Sequence, residues 1–324
     1  MKKNIPQLLS GLAIVLFLVG CTPKSEKATG IDLSLMDTTV RPQDDFYNYV
    51  NGIWMKNAEI PDDRTRWGSF DELREKTDAD VLELLKKASS KEQDETSDEG
   101  KAVLLYKLIT DTVARDADGI NPLKPFLNQI DEIASLVDVQ NYLIKTQPYG
   151  SGGIFGFYVS SDAKDSNKNV PHIYAGPLGI ERDYYVKDDE DSKKVKAQYE
   201  THVARMLGFL GTDETESAAL AATVVALETQ MAAARLDKVE RRDPAKRYNP
   251  TAMEGLQSLV SSVNWNAYFN GIGAKGLEEI IVTDLGYFTA LNGLLKGNSI
   301  ADWKAYLKWT LVDQAASELT TEME

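Results

Sequence analysis

The side chains able to do chemistry are few, and their spacing excludes more than it admits. The chain holds two histidines, His172 and His202, and neither is followed by glutamate. A helical zinc site needs two imidazoles at i and i+4, so that both leave one face toward one ion. That pattern is absent. His172 follows a proline in a predicted strand and His202 falls mid-helix, so both read as structural or surface residues. No Gly-x-Ser-x-Gly elbow, phosphate loop or dinucleotide fingerprint occurs. The pairs Asp44-Asp45, Asp62-Asp63 and Asp188-Asp189 read as solvated loop or cap carboxylates. The stretch from Asp162 to Asn169 lacks the alternating ligands and glycine turn of a calcium loop. No metal ligand set is expected from this chain. Arg66 is different. It lies just before Ser69, a predicted helix N-cap, near free backbone N–H groups and the positive end of the helix dipole. That combination holds a carboxylate, bidentate on the guanidinium and assisted by the dipole. The same spacing also allows a local ion pair with Asp71, Asp63 or Glu72, and spacing alone leaves both open.

The elements that position these residues are mostly helical. Ser69 and Glu72 form a predicted capping box, and Phe70, Leu73, Val81, Leu84 and Leu85 make an apolar stripe to about Lys87. A polar linker, Ser89 to Gly100, leads to a helix over 101–115 and another over 123–134. Asp138 is the predicted N-cap of a helix through Lys145. After Gly150 the character changes. Ile154 to Val159 and Val170 to Tyr174 read as the strands of a β-hairpin with a polar loop between them. Gly176-Pro-Leu-Gly179 forces a turn. Helices follow from Ser192 to Gly208, and from Thr212-Asp213 to about Val239. Asp243-Pro244 and Asn249-Pro250 are stops, separated by the basic cluster Arg241, Arg242, Lys246 and Arg247. Met253–Val260, Asp284–Leu295 and Ser299 to about Thr320 complete the set, with Ser299 and Asp302 a second capping box. The expected fold is mainly α, a large multi-helix domain with a small β-hairpin insertion near 154–174.

Composition agrees: 43% hydrophobic and 27% charged residues describe a soluble globular chain. The net charge of −14 argues against nucleic acid as a partner, because phosphate binding needs a basic surface. The N-terminus carries more. Lys2 and Lys3 precede an apolar run of twelve residues, Leu8 to Val19. A bilayer core about 30 Å thick needs about 20 residues, so this run reads as a signal peptide. Leu18-Val19-Gly20-Cys21 then reads as a bacterial lipoprotein cleavage box, with the chain's one cysteine at the lipidated position. Acyl chains anchor a protein at about 0.8 kcal/mol per buried CH₂. The expected division is a signal peptide over 1–20, a tether over 21–36 after lipidated Cys21, and a domain over 37–324. The expected location is the extracytoplasmic side of a bacterial envelope, the membrane held through the lipid anchor.

Ordered motifs in the mature chain resemble those of a known family. Asp44-Asp45-Phe46-Tyr47-x-Tyr49-x-x-Gly52-x-Trp54 is similar to the start of the neprilysin and endothelin-converting-enzyme zinc metallopeptidases. Ile60-Pro61, Arg66-Trp67-Gly68-Ser69-Phe70-Asp71 and Leu73 continue the resemblance in order. So do Gly176-Pro-Leu-Gly179 with Arg182-Asp183-Tyr184-Tyr185, Arg241-Arg242-Asp243-Pro244, Tyr248-Asn249, Asn264-Trp265-x-x-Tyr268 and Ile280-Ile281-Val282. The resemblance implies an extracytoplasmic endopeptidase of two largely helical domains around a cavity, this sequence supplying most of the domain that caps it. It implies that Arg66 and Asp71 contribute to substrate binding, Arg66 facing the C-terminal carboxylate of a peptide. Zinc is implied for the complete enzyme, on a catalytic domain this sequence does not include. The expected partners are therefore peptide substrates and that zinc-bearing domain, and this chain alone is expected to be inactive. A different class of reading is a non-catalytic helical lipoprotein that binds peptides or a partner protein.

Overall fold

In the computed structural model, which describes residues 30–150 and 153–324, helices dominate as expected. The leader and Cys21 lie outside the described residues. The chain divides into two compact units, one ending at Lys91 and the other running from Glu92 to Glu324.

In the smaller unit, a 3-10 turn at Leu33–Leu35 precedes helix α1 (Phe46–Asn57) and helix α2 (Ser69–Ser89). Asp45 caps α1, its carboxylate accepting the Asn48 N–H at 2.9 Å. Aromatic side chains like those from Phe46 to Trp54 ordinarily dock the start of a domain by packing. Two of them do not, since Phe46 and Tyr47 are 66% and 61% exposed. The docking runs through polar groups. Gly52 allows Asp37 to approach, because a Cβ there would lie 2.6 Å from the Asp37 Cβ. Asp37 is buried and accepts hydrogen bonds from Lys56 and Thr39. These bonds, that from Lys56 foremost, hold the Asp37 carboxyl down at about 2. The N-cap of α2 is Gly68, not Ser69, and no side chain caps it. Glu72 leaves the expected capping box because its carboxylate accepts the Trp54 indole N–H at 2.9 Å.

The larger unit opens with α3 (Asp98–Thr110) and α4 (Thr112–Asp118). The single helix expected over 101–115 is split there by Asp111, whose carboxylate accepts the Ala114 N–H and starts a new helix. Helices α5 (Lys124–Glu132) and α6 (Leu136–Thr146) follow. Strands β1 (Phe155–Ser161) and β2 (Asn169–Ala175) form the expected hairpin, paired from Phe155↔Ala175 to Ser161↔Asn169. Next come α7 (Arg182–Val186), α8 (Glu190–Gly208), α9 (Glu214–Ala233) and α10 (Pro244–Arg247). Strand β3 (Asn249–Ala252), α11 (Met253–Leu259), α12 (Trp265–Gly271) and β4 (Glu279–Val282) precede α13 (Leu285–Gly297) and α14 (Ile300–Ala315).

The hairpin is thus half of a four-stranded sheet ordered β1-β2-β4-β3. Strand β4 runs parallel to β2, with His172 opposite Ile281, and antiparallel to β3. Asn249-Pro250 reads as a stop, yet Pro250 sits in β3 at the sheet edge, where the missing N–H is tolerated. The core gathers large aromatics: Trp265, Trp303, Tyr287, Tyr306 and Phe288 are all fully buried. Removing one such ring costs about 3–5 kcal/mol. Two of them also fix backbone at the head of the sheet. The Tyr287 hydroxyl donates to the Ile154 carbonyl at 2.6 Å and the Tyr306 hydroxyl to that of Gly153 at 2.8 Å.

Candidate functional site

The Arg66–Asp71 segment belongs to the smaller unit. A turn closed by the Arg64 N–H on the Pro61 carbonyl at 2.9 Å leads into it, and the Arg64 guanidinium lies 5.9 Å from the Trp67 ring centroid. Trp67 is thereby held, and Gly68 turns the chain into α2. The local ion pair open to Arg66 from spacing is not formed. Asp63 is 3.5 Å from Arg64, and Glu72 is taken by Trp54. Among the described residues, no ion pair or hydrogen bond engages the guanidinium of Arg66 or the carboxylate of Asp71. Arg66 is exposed and Asp71 half-buried, at the start of a helix whose first N–H groups have no side-chain cap. The arrangement offers a guanidinium fork, a carboxylate and open backbone donors within one turn. That is the chemistry of gripping the charged end and the N–H groups of an extended peptide.

The motifs of the larger unit are differently employed. The Arg182 Nε–H donates to the carbonyls of Ala232 and Arg235, each at 3.0 Å, and so closes the C-terminal end of α9. The helix expected to reach about Val239 ends at Ala233 for this reason, helped by the Leu236 N–H donating to Asp284. Asp183 pairs with Lys187 at 3.0 Å, and that bond holds its carboxyl below the usual range. Tyr185 reaches inward, its hydroxyl donating to the buried Glu228 carboxyl at 2.7 Å and accepting the Ile180 N–H at 3.3 Å. Burial raises the Glu228 carboxyl, and the Tyr185 bond opposes it. Gly179 has to be glycine, since a Cβ there would lie 1.9 Å from the Tyr199 hydroxyl. The Gly176 and Arg182–Tyr185 motifs therefore build the fold.

Glu228, mid-helix in an alanine-rich run, and Arg235, just past that helix, carry no local sequence signal. Only the pairing of distant segments reveals them. Neither histidine meets a ligand set. His172 stacks on Tyr158 with centroids 4.6 Å apart, and burial lowers its imidazole. His202 meets Trp309 edge-on at 5.9 Å. Among the described residues, no three His, Cys, Asp or Glu side chains converge as metal ligands. The described residues do not fit a zinc ion.

Comparison with known proteins gives the family of the chain. The model for peptidase family M13, N-terminal region, matches residues 42–324. Endothelin-converting enzyme 1 of Homo sapiens is 28% identical over 305 residues, covering 89% of this chain and 38% of the relative. Neprilysin-3 of Drosophila melanogaster is 26% identical over 307 residues, covering 89% of this chain and 39% of the relative. The solved Mycobacterium tuberculosis zinc metalloprotease ZMP1, in complex with inhibitor, superposes with a TM-score of 0.81 at 33% identity, over 91% of this chain and 45% of that one. The chain thus spans less than half the length of these relatives. It belongs to peptidase family M13, the neprilysin and endothelin-converting-enzyme family of zinc metallopeptidases, and corresponds to the N-terminal region of its members.

Proposed function

We propose that this chain is the substrate-capping part of a neprilysin-like zinc metalloendopeptidase, anchored to the extracytoplasmic side of a bacterial membrane through Cys21. The observation that carries the reading is the family match along residues 42–324, beside relatives named as peptidases and a solved zinc metalloprotease. In this reading the zinc ligands and the hydrolytic step belong to a catalytic domain that this sequence does not include. This chain's task is to admit peptides and orient them: Arg66 grips the peptide carboxylate and Asp71 a backbone N–H or amino group.

The apolar surface supports an absent partner domain. No residue of α2 is buried, and Phe70, Leu73 and Leu84 are 86%, 60% and 66% exposed. On α3 and α4, Leu105, Leu108 and Val113 are likewise exposed. Clusters of this kind mark surfaces that another polypeptide covers. The anchor rests on the N-terminal sequence; among the described residues no helix is long and apolar enough to cross a membrane.

The test pairs this chain with a zinc-bearing M13 catalytic domain, fused or co-expressed. Chelator-sensitive peptide hydrolysis is expected from the pair and none from the chain alone. Arg66→Ala should raise KM without lowering the melting temperature, because the side chain has no partner to lose among the described residues. Cys21→Ser should move the protein out of the membrane fraction. If Arg66→Ala lowers stability and leaves KM unchanged, Arg66 is structural. Peptide binding by this chain without any hydrolysis in the pair would favour the non-catalytic lipoprotein.

A further inference from the structure

We infer that the larger unit carries a second binding site, for a small oxyanion of two or more negative charges, in the basic cavity between the end of α9 and the sheet. The cavity has a volume of about 690 Å³, enough for an inorganic phosphate or a tricarboxylate. Its lining brings six cationic side chains together with three carboxylates, in a chain whose net charge is −14. The carboxylates are already engaged. Asp183 is 3.0 Å from Lys187 and 3.7 Å from Lys238, and Glu181 is 3.5 Å from Arg241. Asp284 accepts the backbone N–H groups of Tyr287 and Leu236 at 3.1 and 3.0 Å.

Three guanidinium groups, on Arg235, Arg242 and Arg247, are left without an ion pair among the described residues. Arg235 is half-buried, with its guanidinium 5.0 Å from the Tyr287 ring centroid, and its Nε and Nη2 have no hydrogen-bond partner. Solubility alone would disperse such charges, because like charges around one concavity repel. A multiply charged oxyanion removes that repulsion and matches the planar forks bidentately. All the residues lining the cavity belong to the larger unit, whereas Arg66 belongs to the smaller one.

The test is calorimetric titration of the full chain with inorganic phosphate and, separately, with citrate, at ionic strength held constant by potassium chloride. Saturable one-to-one binding of at least one anion is expected, and the anion that binds tells a phosphate from a carboxylate ligand. Arg242→Gln/Arg247→Gln should weaken it at least about tenfold, since each substitution removes a charge-assisted donor pair. Both arginines are exposed and have no partner among the described residues, so folding is not at stake. Lys86→Gln/Lys87→Gln, the same change of charge on α2, should leave it unaltered. The inference is overturned if neither anion binds saturably, or if both variants weaken binding equally.

Discussion

Tyr185→Phe tests whether the Arg182–Tyr185 motif is architectural. The substitution keeps the ring, and with it the edge contact to Tyr199 at 6.2 Å, but removes a hydroxyl that makes two bonds. One is short, 2.7 Å to a Glu228 carboxyl that is 1% exposed; the other, from the Ile180 N–H, is 3.3 Å. An abandoned buried partner costs about 1–3 kcal/mol, and the longer bond contributes less, so the expected loss is about 2–3 kcal/mol. Out of a total stability of about 5–15 kcal/mol, that is easily measured. The pH dependence adds a second signature. Burial raises the Glu228 carboxyl above its unfolded value, so the native state binds more protons than the unfolded chain. The resulting stability is complete below the unfolded pKa of about 4.3 and is lost as pH rises toward the folded one. The Tyr185 bond limits that rise, so Tyr185→Phe should carry the loss to higher pH, and Glu228→Gln should abolish it. Urea unfolding between about pH 5 and pH 8 measures both, with the buried Trp265, Trp303 and Trp309 as fluorescent reporters of the larger unit. A loss below about 0.5 kcal/mol, which is ordinary for a surface change, would show that the Tyr185 hydroxyl is not architectural. The same pH slope in wild type and Glu228→Gln would show that Glu228 does not carry the pH dependence.

Gly179→Ala drives a Cβ to 1.9 Å from the Tyr199 hydroxyl and should cost about 1–3 kcal/mol. Gly293→Ala meets nothing within 4 Å on an exposed face of α13 and should stabilise by about 0.5–1 kcal/mol, so urea midpoints should move in opposite directions. In the smaller unit, Asp37 is held at about 2 by Lys56 first, then Thr39. Its contribution is present above the ordinary carboxylate range and lost as pH falls toward about 2. Lys56→Gln should bring that acid loss to higher pH, followed by Trp54 fluorescence; an unmoved acid transition would show that the pair does not couple to folding.

Much of the fold was legible where the signal is local. Ser299 and Asp302 form the capping box that their spacing announces, and the hairpin expected after Gly150 forms, paired from Phe155↔Ala175 to Ser161↔Asn169. What escaped was decided by distant partners. Sequence shows no reason for α9 to stop at Ala233, because Arg182 and Asp284 close it from elsewhere in the chain. Strand β4, a bare Ile280-Ile281-Val282, becomes a strand only between β2 and β3. Glu72 looks like half of a capping box until Trp54 claims it.

The residues that carry the family resemblance fall into two physical groups. Gly176, Gly179, Arg182, Asp183 and Tyr185 have their geometry or bonding consumed inside the larger unit, closing a helix end, neutralising lysines or meeting a buried carboxyl. A fold of this kind needs them whatever it does. Arg66, Asp71 and Phe70 consume nothing among the described residues: a guanidinium and a carboxylate without partners there, and an aromatic ring 86% exposed, within one turn of a helix that buries no side chain. Stability gives no reason for that combination, since capping Ser69 and burying Phe70 would both improve it. An energetically idle cluster inside a shared motif is what a surface looks like when its contacts belong to another molecule. A guanidinium fork beside a carboxylate can meet a carboxylate and an amide N–H of another chain, and the exposed apolar face of α2 can meet a second apolar surface.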